Sequence, residues 1–233
     1  MKSSHSFIVE NIDKIKAQLP AGIKLVAVSK FHPVSCIVEA YRGGHRCFGE
    51  SRVQELVSKY EELKDYSDIE WHFIGPLQTN KVKFIVPFVS MIESVTSLRL
   101  LQEIQKQASK QDKVIDILLE VHLAKEETKS GFDIQELGNT VALIVDSAGA
   151  YAHIRLRGLM TIATQTDDEA VVKSEFATLK SLFDEMKEKY HEKNEMSYFD
   201  TVSMGMSHDY NLAIQEGANV IRVGSLIFGE RQY

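Results

Sequence analysis

The chain has 233 residues, of which 44% are hydrophobic and 26% charged, the balance of an ordinary globular protein. That composition excludes a disordered chain, a collagen-like repeat and a disulfide scaffold. With 27 Lys and Arg against 33 Asp and Glu the net charge is −6, so neither nucleic acid nor an anionic membrane is an expected partner.

The opening stretch, MKSSHSFIVENIDKIKAQLP, lacks the uninterrupted apolar core of a secretory signal. Ile8, Ile12, Ile15 and Leu19 recur there at helical spacing and predict a leading helix. Short apolar runs then predict strands over Lys24–Ser29, His45–Gly49, Glu70–Gly75, Ser90–Ser94, Asp116–Leu123, Ile154–Ile162, Phe199–Met204 and Val220–Val223. Helical faces lie between them. Leu101, Ile104 and Ala108 form one; Leu137, Val141, Ile144 and Ala148 form another. The clearest carries Val172, Phe176, Leu179, Phe183, Met186 and Tyr190 at alternating spacings of four and three. All three are read as helix faces packed on a sheet, without a chemical role. The mixed-charge stretches Lys59–Lys64 and Lys187–Lys193 read as solvated helix faces. No apolar run is long enough for a membrane span. Cys36 and Cys47 form no CxxC and read as reduced, partly buried thiols of a cytoplasmic protein.

Strands alternating with helices imply parallel pairing. Eight such units in this length imply an α/β protein of the (β/α)8 TIM-barrel class, one domain over residues 1–233 with an extra N-terminal helix. The alternative is an open doubly wound sheet, which should carry a GxGxxG turn after its first strand; none is present.

A barrel places its site at the C-terminal ends of its strands. Alternation puts Val26, Val28 and Lys30 on one face, so Lys30 is expected to point inward at the top. Scarce water there disfavours its ammonium form, and a neutral amine can form a Schiff base with a carbonyl. The plainer alternative is a lysine that snorkels out to solvent. After strands seven and eight, barrels commonly bind phosphate. Ser207 is expected to open a helix there, with Asp209 just inside it. Gly205 and Gly224 permit close backbone approach, and Ser207 and Ser225 supply hydroxyls. Arg222 shares parity with Gly224 and is expected to project inward, toward a ligand or a carboxylate; a salt bridge to Glu50 is the plain option. An aldehyde-reactive lysine facing a phosphate site describes a holder for pyridoxal 5′-phosphate (PLP). A Schiff-base aldolase acting on a sugar phosphate needs similar parts.

The motifs AVSK (27–30), FGESRVQE (48–55), WHFIGPLQTNK (71–81), KSGF (129–132), LRGLMTI (156–162), SMGMSHD (203–209) and RVGSLIFGER (222–231) stand in this order along nearly the whole chain. Together they resemble the PLP homeostasis proteins, single-domain relatives of the N-terminal barrel of alanine racemase. The resemblance implies a PLP-carrying barrel with Lys30 as the Schiff-base lysine. It implies that Ser207, Gly224 and Ser225 hold the phosphate, that Met204 belongs to the cofactor-binding set, and that Arg222 lies at the pyridine nitrogen. An arginine there keeps its proton, so the ring nitrogen should stay unprotonated and the ring a weak electron sink. Ser51 stands where the family usually has Asn, and Phe31-His32 departs from its usual SKT-x-P; both changes flank the cofactor mouth.

The function expected from the resemblance is therefore PLP binding for homeostasis, with little or no catalysis. No catalytic residue is assigned. The chain stops where a racemase would begin the domain carrying its second acid/base group. An active PLP-dependent racemase or lyase with Lys30 as its only base is the alternative; a sugar-phosphate lyase without PLP is a third reading. A monomer is expected, with PLP-dependent apoenzymes as partners; the sequence leaves open whether Lys81, Lys125 or Lys129 holds PLP in a second site. The eight histidines make no HExxH or HxH spacing, so no metal site is expected. His72 and His208 read as hydrogen-bonding walls near the site.

Overall fold

Parallel strands that must bury both faces need apolar residues at consecutive positions, and these strands have them. In β1 (Lys24–Val28), Leu25 and Ala27 belong to the large core outside the barrel, while Val26 packs with Cys47 and Val220 inside it. The computed structural model describes residues 6–124, 130–147 and 149–230. Among them the strands close a barrel in chain order, every neighbouring pair parallel. After β1 come β2 (Cys47–Glu50), β3 (Glu70–Phe73), β4 (Met91–Val95), β5 (Ile115–Glu120), β6 (Ile154–Met160), β7 (Thr201–Ser203) and β8 (Val220–Val223). The eight strands expected from the sequence are all present, most of them a residue or two shorter.

The leading helix α1 (Phe7–Gln18) buries Ile8, Ile12 and Ile15 against α2 (Val34–Arg42) and the last turn, α9 (Ser225–Phe228). Asn11 ties it down by donating to the Ile227 carbonyl at 3.1 Å. The other helices are α3 (Val53–Glu62), α4 (Val82–Ile85), α5 (Leu98–Ser109), α6 (Ile134–Asp146), α7 (Glu169–Lys189) and α8 (Tyr210–Gln215). α5 buries Leu101, Ile104 and Ala108; α6 buries Leu137, Val141 and Ile144; Ala148 lies outside the described residues. α7 buries Val172, Phe176, Leu179, Phe183 and Met186 on the expected face. No described helix is long and apolar enough to cross a membrane. Both cysteines are free, Cys47 buried and Cys36 half-buried.

Lys59 corrects the sequence reading of its segment. Its side chain lies under α3, 5% exposed, with Nζ donating to the Ser29 carbonyl (2.8 Å), Glu50 Oε1 (2.7 Å) and Glu55 Oε1 (2.7 Å). A buried carboxylate on the outer face of β2 needs a cation, and α3 is the element packed over it. Lys187–Lys193, by contrast, is exposed apart from the half-buried Tyr190.

Candidate functional site

β1 ends at Val28, and the next two side chains diverge. Ser29 is buried beside β2, its hydroxyl donating to Glu50 Oε1 at 2.7 Å. Lys30 lines a cavity of about 350 Å³ at the C-terminal mouth of the barrel. Ser207, Arg222, Gly224 and Ser225 line the same cavity, beside apolar Val28, Ile74 and Ile162. The lysine and the expected phosphate-side residues thus meet in one place. The Met204 side chain does not join them. It follows inward-facing Ser203 in chain order, so alternation turns it outward, where it is fully buried in the core between barrel and helices. Met206 lines the cavity instead.

The turn after β7 also differs from expectation. Ser207 does not open a helix: residues 207–209 form a turn, and α8 starts at Tyr210 with Asp209 as its N-cap. Asp209 is buried because its carboxylate accepts the Met206 amide across the turn. Gly205 enters that turn at φ +92°, and a Cβ there would lie 2.6 Å from that of Ala213; only glycine fits. The Ser207 hydroxyl accepts the Gly224 amide at 3.2 Å and so joins the loops after β7 and β8. Ser225 begins α9, whose first turn closes on the Gly224 carbonyl through the Ile227 and Phe228 amides.

Arg222 does not pair with Glu50, which is occupied by Lys59 on the outer face of the barrel. Parity in β8 sends Arg222 inward, where it is 4% exposed. Nη1 donates to Ser203 Oγ at 2.6 Å and Nη2 to the Thr161 carbonyl at 2.8 Å. Glu93 Oε2 lies 3.9 Å from Nη1 and accepts from the Ser203 hydroxyl. Its Oε1 meets His72 Nδ1 at 2.6 Å. Burial opposes charge on Glu93, yet His72 and Arg222 hold its carboxyl below the usual range. Burial likewise opposes a charged His72, but the Cys47 thiol and Glu93 outweigh it and push the imidazole up to about 10. Glu120, inside the barrel at the end of β5, is pushed up to about 7 by burial, with Arg222 offsetting part of the effect.

His208 lines the cavity, whereas His72 lies deeper, in the barrel core. At the mouth, Phe31 adopts φ +67° and its amide donates to Glu55 Oε1 at 2.6 Å; the Arg52 guanidinium sits 4.5 Å above its ring. His32 stacks on Phe228 at 5.1 Å. Lys81 lies near the Phe84 ring, away from the cavity, and Lys125 and Lys129 lie outside the described residues.

A family model for the alanine racemase N-terminal domain matches residues 5–232. The pyridoxal phosphate homeostasis protein of Aquifex aeolicus is 40% identical over 231 residues, covering 98% of this chain and 97% of that one. The chain belongs to the pyridoxal phosphate homeostasis protein family. A solved structure of PipY from Synechococcus elongatus, with PLP bound, superposes with a TM-score of 0.87 at 35% identity, covering 95% of this chain and all of that one. Alanine racemase from E. faecalis shares the barrel fold (TM-score 0.68, 18% identity), and this chain spans 58% of its length.

The cavity of this family member fits PLP by its donor set: a primary amine for an aldehyde, the Ser207 and Ser225 hydroxyls for a phosphate, apolar walls for a ring, and a fixed guanidinium. Gly224 completes the cradle, since a Cβ there would lie 3.2 Å from the Val28 carbonyl oxygen. The sequence reading missed the line His72–Glu93–Ser203–Arg222. Its signal was present: a carboxyl at the centre of the apolar run Met91–Val95 must be buried and must have a partner.

Proposed function

We propose that this protein binds PLP for homeostasis and catalyses little or nothing itself. Lys30 holds the cofactor as a Schiff base, Ser207, Ser225 and the backbone at Gly224 hold its phosphate, and Arg222 faces its ring nitrogen. The observation that carries this reading is the meeting of Lys30, Ser207, Arg222, Gly224 and Ser225 in one cavity. The relatives named for PLP homeostasis and the PLP-bound PipY support it. When bound, PLP supplies an aldehyde carbon and a pyridine ring that can take up electrons.

The chain's own residues keep such a site quiet. Arg222 is held by Ser203, the Thr161 carbonyl and Glu93, and its N–H groups only donate. A ring nitrogen facing it accepts a hydrogen bond and receives no proton, so the ring draws electrons weakly. The site lies in a monomer, and PLP-dependent apoenzymes are the natural recipients of its cofactor.

The test is the visible spectrum of the purified protein after incubation with PLP, followed by borohydride reduction and peptide mass analysis. The expected result is an absorbance band with reduced PLP on Lys30, both lost in Lys30→Ala. A colourless wild-type protein would overturn the reading. Turnover of D- or L-amino acids above that of free PLP would overturn its non-catalytic part and favour a racemase or lyase.

A further inference from the structure

The N-terminal end of the barrel, opposite the proposed cofactor cavity, gathers three groups of a different chemistry. Cys47 on β2 and Glu70 on β3 are register partners, and His72 stands two residues beyond Glu70 on the same, inward face. One ligand atom from each, a sulfur, a carboxylate oxygen and an imidazole nitrogen, lies within 4.8 Å of the other two. Glu93 already binds His72 Nδ1. That fixes the ring and leaves Nε2 for the Cys47 side, the arrangement by which a carboxylate behind a histidine orients it toward a metal.

We propose that Cys47, Glu70 and His72 form a Zn²⁺ site. Sulfur with imidazole selects a borderline-soft ion over Mg²⁺ or Ca²⁺. Bonds of about 2.0–2.3 Å at tetrahedral angles place ligand atoms roughly 3.4–3.8 Å apart, so the three atoms need draw together by only about 1 Å. Glu70 supplies that movement, because it is exposed at the start of its strand. Binding displaces one proton from the Cys47 thiol and one from the His72 imidazole nitrogen facing it, both released to solvent; the resulting thiolate and the Glu70 carboxylate together match the charge of the ion. Lys24 now pairs with Glu70; its side chain is 42% exposed and swings to solvent as the ion takes its place. A cavity of about 410 Å³ lined by Lys24, His45, Arg46 and Cys47 reaches one of the three ligands, Cys47. Three protein ligands leave one position for water or a small anion.

The test uses the full chain without a histidine tag, stripped with chelator, and titrates Zn²⁺ in competition with a chromophoric chelator. Stoichiometric binding is expected, weakened at least about tenfold in Glu70→Gln and more in Cys47→Ser, and unchanged in Cys36→Ser. Co²⁺ in place of Zn²⁺ should give a thiolate-to-cobalt band and intense tetrahedral visible bands, both lost in Cys47→Ser. Glu70→Gln, at an exposed position, keeps the test decisive should Cys47→Ser fail to fold. Wild-type affinity no higher than that of Glu70→Gln, or a cobalt spectrum without a thiolate band, overturns the proposal. The PLP spectrum of the same samples is independent of either outcome.

Discussion

Replacing Lys59 by Met removes an ammonium while keeping most of the side chain's apolar length. It leaves Glu50, 0% exposed, with the Ser29 hydroxyl as partner of one oxygen, while its Oε2 has no hydrogen-bond partner even in the intact protein. Breaking a buried ion pair from one side costs about 3–5 kcal/mol. The folded variant can escape by protonating Glu50, whose carboxyl burial already pushes up. With an unfolded value of about 4.3, that escape costs about 4 kcal/mol at pH 7 but only about 1 kcal/mol at pH 5. Urea unfolding without added PLP should therefore show Lys59→Met less stable than wild type by about 3–4 kcal/mol at pH 7 and markedly less so at pH 5. For a chain of this size, the pH 7 loss lowers Tm by about 6–16 °C. Glu50→Gln combined with Lys59→Met should recover much of it by removing the orphaned charge. A loss below about 1 kcal/mol at pH 7, or one equal at both pH values, refutes the reasoning.

Glu120→Gln removes a carboxyl held at about 7 in the folded chain. A raised folded value means that Glu120 favours folding below about pH 4.5 and that this contribution is lost as pH rises to 7, about 3 kcal/mol in all. The variant should gain about 2.5 kcal/mol of that relative to wild type between pH 5 and pH 8, read by urea unfolding; a constant difference would contradict the assignment. Ser207→Ala removes a hydroxyl from the proposed phosphate site and the acceptor of the Gly224 amide. Spectroscopic titration should show PLP bound about 10–100-fold more weakly, and an unchanged affinity would place the phosphate elsewhere. Ser203→Ala cuts the bridge between Arg222 and Glu93. It should destabilise the fold by about 1–3 kcal/mol; a neutral result in urea unfolding would mean that the two charges need no bridge.

The barrel was legible because eight apolar runs separated by helical faces leave little other topology, and Lys30 and Arg222 because strand parity alone sends them inward. Where the reading failed, the cause was packing or turn geometry that the local pattern does not display. Lys59 carries an ordinary helix-surface pattern, and only the packing of α3 over Glu50 shows that it is buried. Ser207 stands where a helix could begin, but Asp209 takes the Met206 amide and moves the start to Tyr210. Met204 followed the motif, while alternation after Ser203 turned its side chain away.

The same alternation explains how Arg222 comes to be held from the protein side, on which the non-catalytic proposal rests. Its guanidinium is satisfied from beneath by Ser203, the Thr161 carbonyl and Glu93, and Glu93 is in turn held by His72. Burial pulls the guanidinium's proton affinity down, and Glu93 and Glu120 work against that. On the proposed reading, a charge fixed this way from the protein side loses little freedom when a PLP ring binds, and its N–H groups donate without giving up a proton. The buried ionic line across the barrel is costly to bury; what it provides is a positive donor already in position at the floor of the cavity.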